Sequence, residues 1–163
     1  MSVLVLENRT PRSLEGMYEY LSNPQKTNGK GMFGLGVNPG APVPEMQFVQ
    51  DIYHKDDLSH PYSQVILSFD KDIPLDFPEI QDICMEVGQV LTSDERQVFG
   101  AIHSQGTDNL HCHYMINYVG IDGRLYRQGH HVNYYKREVN EILEAHGLNP
   151  IKVLVNPPYD IRV

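Results

Sequence analysis

Two short runs of strand-forming residues flank a six-residue turn segment in the second half of the chain. The runs extend from Gln97 to His103 and from Leu110 to Val119, and the segment between them reads Ser-Gln-Gly-Thr-Asp-Asn. Because that segment is rich in turn-forming residues, the pattern predicts a β-hairpin. A hairpin places its two strands side by side, so residues on either side of this turn are expected to meet in the fold.

Hydrophobic periodicity predicts the remaining elements. The predicted helices begin after the N-cap candidate Ser13 and cover 78–91 and 132–146, and the predicted strands cover 3–6, 62–69, 124–127 and 151–155. This order predicts an α+β fold with a central, mainly antiparallel β-sheet and helices packed on one face of it.

Length and composition favour one domain. A chain of 163 residues supplies one ordinary hydrophobic core, so residues 1–163 are predicted to form a single domain. Residues 23–44 are rich in Gly and Pro and are predicted to form a long surface loop. Two cysteines outside any C-x-x-C pair, and apolar runs too short for a membrane span, predict a cytoplasmic protein without membrane insertion.

The net charge of −8 argues against a generic nucleic-acid binder. The excess is confined to residues 51–100, which hold eleven acidic and three basic residues, and the segments on either side are neutral. A basic groove built from the outer segments is therefore compatible with the composition. Part of the acid lies in the predicted helix 78–91, where it is expected to form a solvated face.

Three of the eight histidines lie within eleven residues around the predicted hairpin, at positions 103, 111 and 113. His111 and His113 are two residues apart on a strand, so they share a face with Cα atoms about 7 Å apart. The turn would bring His103 beside them, which gives three neutral nitrogen ligands. Such a set suits Mn²⁺, Ni²⁺, Co²⁺ or Zn²⁺, and Mg²⁺ less well. The alternative is a group of hydrogen-bonded or solvent-facing imidazoles without an ion.

Two polar residues near the histidines are candidates for supporting roles. Asp108 could accept a hydrogen bond from an imidazole N–H or cap its own turn. Asn117 lies four residues beyond His113 on the same strand face, where it could bond within the site or satisfy backbone groups.

Two motifs resemble one enzyme family. The spacing H-x7-H-x-H-x3-N, from His103 to Asn117, resembles the third motif of plasmid mobilisation relaxases of the MobA/VirD type, members of the HUH endonuclease superfamily. The segment Tyr20-Leu-Ser-Asn-Pro-Gln-Lys-Thr27 is similar to the N-terminal Y-(I/L)-x-N-P-x-K-T motif of that family. The two motifs occur in the family's order, and the similar segments extend over nearly the whole chain.

The resemblance implies the HUH relaxase core, which is ferredoxin-like and RRM-like, and a site-specific endonuclease and strand transferase. Tyr20 would attack single-stranded DNA at an origin of transfer to form a 5′-phosphotyrosine link, with a divalent ion, expected to be Mn²⁺, held by His103, His111 and His113. Accessory relaxosome proteins are further expected partners. A rolling-circle replication or transposition nuclease, or a noncatalytic module that binds metal or single-stranded DNA, is the alternative.

Tyr18 is the alternative nucleophile. Residues two apart on a helix point about 200° apart, so Tyr18 and Tyr20 cannot both face one site. Tyr18 shares a face with Leu14 and Leu21, which favours a place in the core, whereas the motif aligns Tyr20. Four cations in the motif-bearing segments are candidates for phosphate contacts, namely Lys26, Lys30, Arg124 and Arg127. The acidic helix 78–91 is expected to lie away from the DNA.

Overall fold

The computed structural model describes residues 2–7, 12–56, 58–93, 95–126 and 132–153. These residues form five strands, β1 (Val3–Glu7), β2 (Met32–Leu35), β3 (Tyr62–Ser68), β4 (Val98–His103) and β5 (His111–Asn117). The helices are α1 (Leu14–Ser22), α2 (Pro24–Thr27), α3 (Pro42–Ile52), α4 (Phe77–Thr92) and α5 (Val132–Ala145). The helix after Ser13, the helix over 78–91 and the helix over 132–146 are confirmed as α1, α4 and α5.

The strands form one antiparallel sheet in the order β1-β3-β5-β4-β2. The predicted hairpin is confirmed as β4 and β5, whose register pairs His103 with His111 and Ala101 with His113. On its other side β5 pairs with β3, so that Ile66 lies opposite His113. The hairpin is thus central in the sheet, and both of its strands are held by a neighbour on each side.

Helices cover both faces of the sheet. The α1 face carries Phe99, Ala101 and Met115, which pack against α1 and α3. The α4 face carries Val98, Ile102 and Tyr114 and packs against α4 and α5. The prediction of helices on one face is therefore wrong. All six residues of β4 are buried, as expected for a strand that is covered on both sides.

The predicted loop over 23–44 is also wrong, because the segment contains α2, β2 and the start of α3. Gly and Pro misled the prediction, since each has a local role here. Pro24 and Pro42 occupy first-turn positions, where a helix needs no N–H from them. In β2, Gly34 leaves room for the Val37 carbonyl, because a Cβ at this position would come within 2.0 Å of that oxygen.

Two short predicted strands differ from the structure. Residues 124–127 were expected to form a strand, but Leu125 makes only an isolated bridge to Val119. Residues 151–153 are not in a strand, whereas Arg127 and residues 154–155 lie outside the described part of the chain. Within the described ranges, a helix both long and apolar enough to cross a membrane is absent.

A histidine just after α5 links it to α4 through two carboxylates. His146 Nδ1 lies 3.2 Å from Glu79 Oε1, and His146 Nε2 lies 3.4 Å from Glu86 Oε2. The contact with Glu79 contributes most to a raised pKa of His146, and Glu86 adds to it. The protonated imidazole therefore stabilises the α4–α5 contact below about pH 6.5, and this stabilisation is lost as the pH rises through the raised folded pKa.

His146→Gln is expected to reduce the free energy of unfolding most at low pH. Because both carboxylates are largely exposed, the loss should not exceed about 1 kcal/mol near pH 5.5 and should be smaller near pH 8.5. Urea unfolding of the variant and the unmodified chain at the two pH values measures this difference. A difference that grows with rising pH would contradict the assignment.

Candidate active site

Three imidazoles converge where β4 ends and β5 begins, on the α1 face. The ring centroids of His103 and His113 are 4.3 Å apart, those of His111 and His113 are 4.9 Å apart, and those of His103 and His111 are 5.3 Å apart. One ring nitrogen from each residue lies within 4.8 Å of the others. A tetrahedral ion holds two ligand nitrogens about 3.3 Å apart. The rings would therefore need to move only slightly toward one another to bind the same ion.

Backbone carbonyls orient two of the rings. His103 Nε2 donates to the carbonyl of Leu21, at the end of α1, over 2.9 Å. His111 Nδ1 donates to the carbonyl of Asn109 over 3.1 Å. Each bond fixes a tautomer, which leaves Nδ1 of His103 and Nε2 of His111 with a lone pair for a ligand.

The third ring, His113, contacts Gln64 of β3. Gln64 Nε2 donates to His113 Nδ1 over 3.2 Å, and His113 Nε2 is buried without a partner among the described residues. A half-turn of the Gln64 amide would let its Oε1 accept from Nδ1 and leave the lone pair on Nε2. A buried ring nitrogen without a partner is costly unless a ligand satisfies it. The three donors therefore fit a divalent ion.

Burial favours the neutral form of two of the imidazoles, those of His103 and His113. Desolvation is the largest cause of the low pKa of His113, which is about 3, and the neighbouring His103 and His111 lower it further. The pKa of His103 is also lowered, again chiefly by burial. Since a metal binds the neutral ring, these two residues need not lose a proton to act as ligands near pH 7.

Neither predicted supporting residue contacts the histidines. Asp108 is exposed in the turn between β4 and β5. The hydrogen bond from His111 that was predicted for the Asp108 carboxylate goes to the backbone carbonyl of Asn109 instead. Asn117 lies at the far end of β5 and is fully buried. Its side chain donates to Gln97 Oε1 and to the Met46 carbonyl, and accepts from Gln50 and the Val119 N–H. Asn117 therefore joins α3 to the sheet.

Asn117→Ala is expected to destabilise the fold without altering the histidine site. The change leaves several buried partners unsatisfied, and we expect a loss of about 3 kcal/mol in the free energy of unfolding. Urea denaturation measures the loss, with the exposed Asn149→Ala as the matched control. The stabilisation of the variant by added Mn²⁺ should persist, and its loss would place Asn117 in the metal site after all.

Tyr20 lies beside the histidines, and Tyr18 does not. The ring of Tyr20 meets those of His103 and His113 edge-on at centroid distances of 5.8 and 5.9 Å. Tyr20 is 37% exposed, so a substrate can reach it. Tyr18 instead packs edge-on against Phe99 at 5.2 Å, within the core between α1 and the sheet. The helical separation expected for the two tyrosines is confirmed.

The four candidate DNA-binding cations are dispersed. Lys26 lies next to the histidines, since its carbonyl accepts from Ser104 N and Gln105 N directly after His103. Lys30 Nζ lies 4.5 Å from the centroid of the Phe77 ring, at the start of α4. Arg124 forms an exposed ion pair with Asp122 beyond the far end of β5. Arg127 lies outside the described residues, so Lys26 alone of the four is seen at the cluster.

Comparison with known proteins identifies the family of this chain. The sequence matches the family described as "Relaxase: MobA/VirD2-like, nuclease domain" over residues 20–148, more than three quarters of the chain. The chain belongs to this relaxase family. Membership implies a DNA-nicking enzyme, and the matched range contains Tyr20 and all three clustered histidines.

A solved structure shares the fold of this relaxase. It was reported under "Molecular Basis of Vancomycin Resistance Transfer in Staphylococcus aureus", with a TM-score of 0.62 and 12% identity. The similarity covers 95% of this chain and 99% of that one. At this identity the likeness concerns the fold, and it agrees with the predicted α+β architecture. Comparison with curated proteins gives no match.

Sequence reasoning missed Gln64. The segment Tyr62–Ser68 was expected to be a buried strand, and a glutamine within it is a polar group that needs a buried partner. A glutamine in a buried strand was therefore the signal from which a polar partner on a neighbouring strand could have been predicted. The structure identifies that partner as His113.

Proposed function

We propose that this relaxase nicks single-stranded DNA at the transfer origin of a mobile element, with Tyr20 as the nucleophile and His103, His111 and His113 as the ligands of a divalent ion. The observation that supports this most is the edge-on contact of the Tyr20 ring with His103 and His113. This contact supports the proposal because an accessible hydroxyl-bearing ring lies beside the group of three imidazoles.

The proposed reaction is a transesterification. The phenolic oxygen of Tyr20 attacks the phosphorus, and the bond from phosphorus to the 3′ oxygen breaks. The leaving 3′ oxygen takes up a proton in exchange for the one that Tyr20 loses. The products are a 5′-phosphotyrosine and a 3′ hydroxyl, and because the link keeps the bond energy, the reverse attack reseals the strand.

The three histidines would hold the ion beside the proposed nucleophile. A bound ion supplies a Lewis acid that polarises a phosphoryl oxygen. Leu21 and Asn109 fix two of the rings through their carbonyls, and α1 carries both Leu21 and Tyr20, so the ligand set and the nucleophile are positioned together. Imidazole donors favour Mn²⁺ over Mg²⁺, and Co²⁺, Ni²⁺ and Zn²⁺ also fit the set.

The charge distribution is compatible with a DNA partner. The acids of α4, among them Glu79, Asp82 and Glu86, lie on the opposite face of the sheet from the histidines. The described part of the chain has few cations near the site, and from these alone non-specific affinity is expected to be weak at physiological salt. We therefore propose that accessory relaxosome proteins assist binding at the origin during conjugative mobilisation.

A covalent-capture assay tests the proposed function. The relaxase is incubated with Mn²⁺ and a pool of randomised single-stranded oligonucleotides, labelled at the 3′ end in one reaction and at the 5′ end in another. Attack by tyrosine leaves the 3′-side fragment on the protein, so only the 3′ label should persist on the protein in denaturant. A chelator should abolish the product. Metal binding without an adduct would indicate a noncatalytic module instead.

A further inference from the structure

Arg12, Gly16 and Tyr20 follow one another at four-residue spacing along α1 and the residues just before it. Residues four apart on a helix share a face. The guanidinium carbon of Arg12 lies 4.8 Å from the centroid of the Tyr20 ring. Arg12 therefore extends along the first turns of the helix to reach the residue that we assign as nucleophile. It precedes the range matched by the relaxase family, which begins at residue 20.

Among the described residues, no carboxylate neutralises the charge of Arg12. Neither Glu15 nor Glu19, the acidic residues of α1, forms an ion pair with it, and within the described ranges it pairs with no carboxylate. Arg12 is exposed, so its N–H groups are open to solvent. A guanidinium over an aromatic face keeps those groups available for oxygen acceptors.

We propose that Arg12 binds the phosphodiester that Tyr20 attacks. The proposal rests on the proposed function and adds a residue to it. The guanidinium lies 4.8 Å from the centroid of the Tyr20 ring, where two of its N–H groups can donate to two phosphoryl oxygens of a bound phosphodiester. Negative charge on those oxygens grows during attack, so the contact strengthens in the transition state and stays with the 5′-phosphotyrosine.

Two measurements on Arg12→Gln test the proposal, each against Arg137→Gln, an exposed substitution on α5 at the opposite face of the sheet. The first is the single-turnover rate of adduct formation at saturating DNA, which should fall about 100-fold. Arg12→Lys, which keeps the charge but not the planar fork, should recover part of the rate. Unchanged urea midpoints would exclude a loss of folding as the cause.

The second measurement needs no chemistry. In a Tyr20→Phe background, which keeps the aromatic ring under Arg12, binding of single-stranded oligothymidylate is followed against salt concentration. Loss of one phosphate contact lowers the slope of log K against log salt by about 0.7. Arg12→Gln should show this decrease, and Arg137→Gln should not.

The outcomes separate this proposal from the proposed function. An unchanged slope for Arg12→Gln overturns the proposal, whether or not the unmodified chain forms an adduct. A lower slope with an unchanged rate also overturns it, because Arg12 would then contact a phosphate other than the reacting one. If Arg12→Gln lowers the slope but the unmodified chain forms no adduct, the phosphate contact of Arg12 is supported and tyrosine attack, which belongs to the proposed function, is refuted.

Discussion

Tyr20→Phe is expected to abolish the covalent protein–DNA adduct, with a loss of at least about 10³-fold in the rate of nicking. The substitution removes only the hydroxyl group that we assign as nucleophile. The phenylalanine ring keeps the edge-on contacts with His103 and His113 and the face beneath Arg12. The variant should therefore fold, bind metal and bind single-stranded DNA as the unmodified relaxase does.

Tyr18→Phe is the matched control for this prediction. Tyr18 lies two residues away on the same helix, but its ring packs against Phe99 on the sheet. Removing its hydroxyl should leave the nicking rate within a few-fold of the unmodified chain. Adduct formation that survives Tyr20→Phe and disappears in Tyr18→Phe would reverse the assignment of the nucleophile.

The second large effect is expected from His113→Ala. His113 Nε2 is the buried ring nitrogen of the cluster that has no partner among the described residues. Loss of this proposed ligand should weaken metal binding by more than the 10- to 100-fold typical of changes to residues that only orient a ligand. In the unmodified chain, Mn²⁺ at about 100 times its dissociation constant should stabilise the fold by about 2.7 kcal/mol. The variant at the same concentration should show almost none of this gain, and nicking should be lost with it.

Thermal unfolding with and without Mn²⁺ measures the second effect, and His60→Ala provides the control. His60 is exposed and contacts Tyr118 rather than the cluster. The control should retain the full metal-dependent stabilisation. Equal stabilisation of His113→Ala and His60→Ala by Mn²⁺ would show that the three imidazoles are not the metal site.

Much of the fold could be predicted from local patterns. The turn composition of residues 104–109 predicts a hairpin, and a hairpin brings His103 to His111 without knowledge of any other contact. The N-cap Ser13, whose side chain accepts from Gly16 N over 3.0 Å, defines the start of α1. The helical spacing of the residues that follow then separates Tyr18 from Tyr20.

The other parts of the fold and of the site depend on contacts between residues far apart in the sequence, which no local pattern predicts. Strand β2 is held by pairing with β4 and by the fit of Phe33 over Gly100, although the segment 23–44 around it is rich in Gly and Pro. Strand alternation places Asn117 on the same face of the sheet as His113, which made it a candidate site residue. Alternation does not predict which side chains surround it, and its partners are Gln50 and Gln97. The position of Arg12 over Tyr20 was equally unforeseen, since a surface arginine has no periodic signature.

We propose that Tyr20 and the histidine cluster form one active site for phosphoryl transfer. The decisive measurement is mass spectrometry of the adduct that the unmodified relaxase makes with Mn²⁺ and single-stranded DNA. After nuclease digestion, we expect a 5′-linked nucleotide on the Tyr20 hydroxyl, and we expect it to be absent when a chelator is present. A nucleotide on any other residue, or one that forms equally well in chelator, would show that the tyrosine and the histidines do not form such a site.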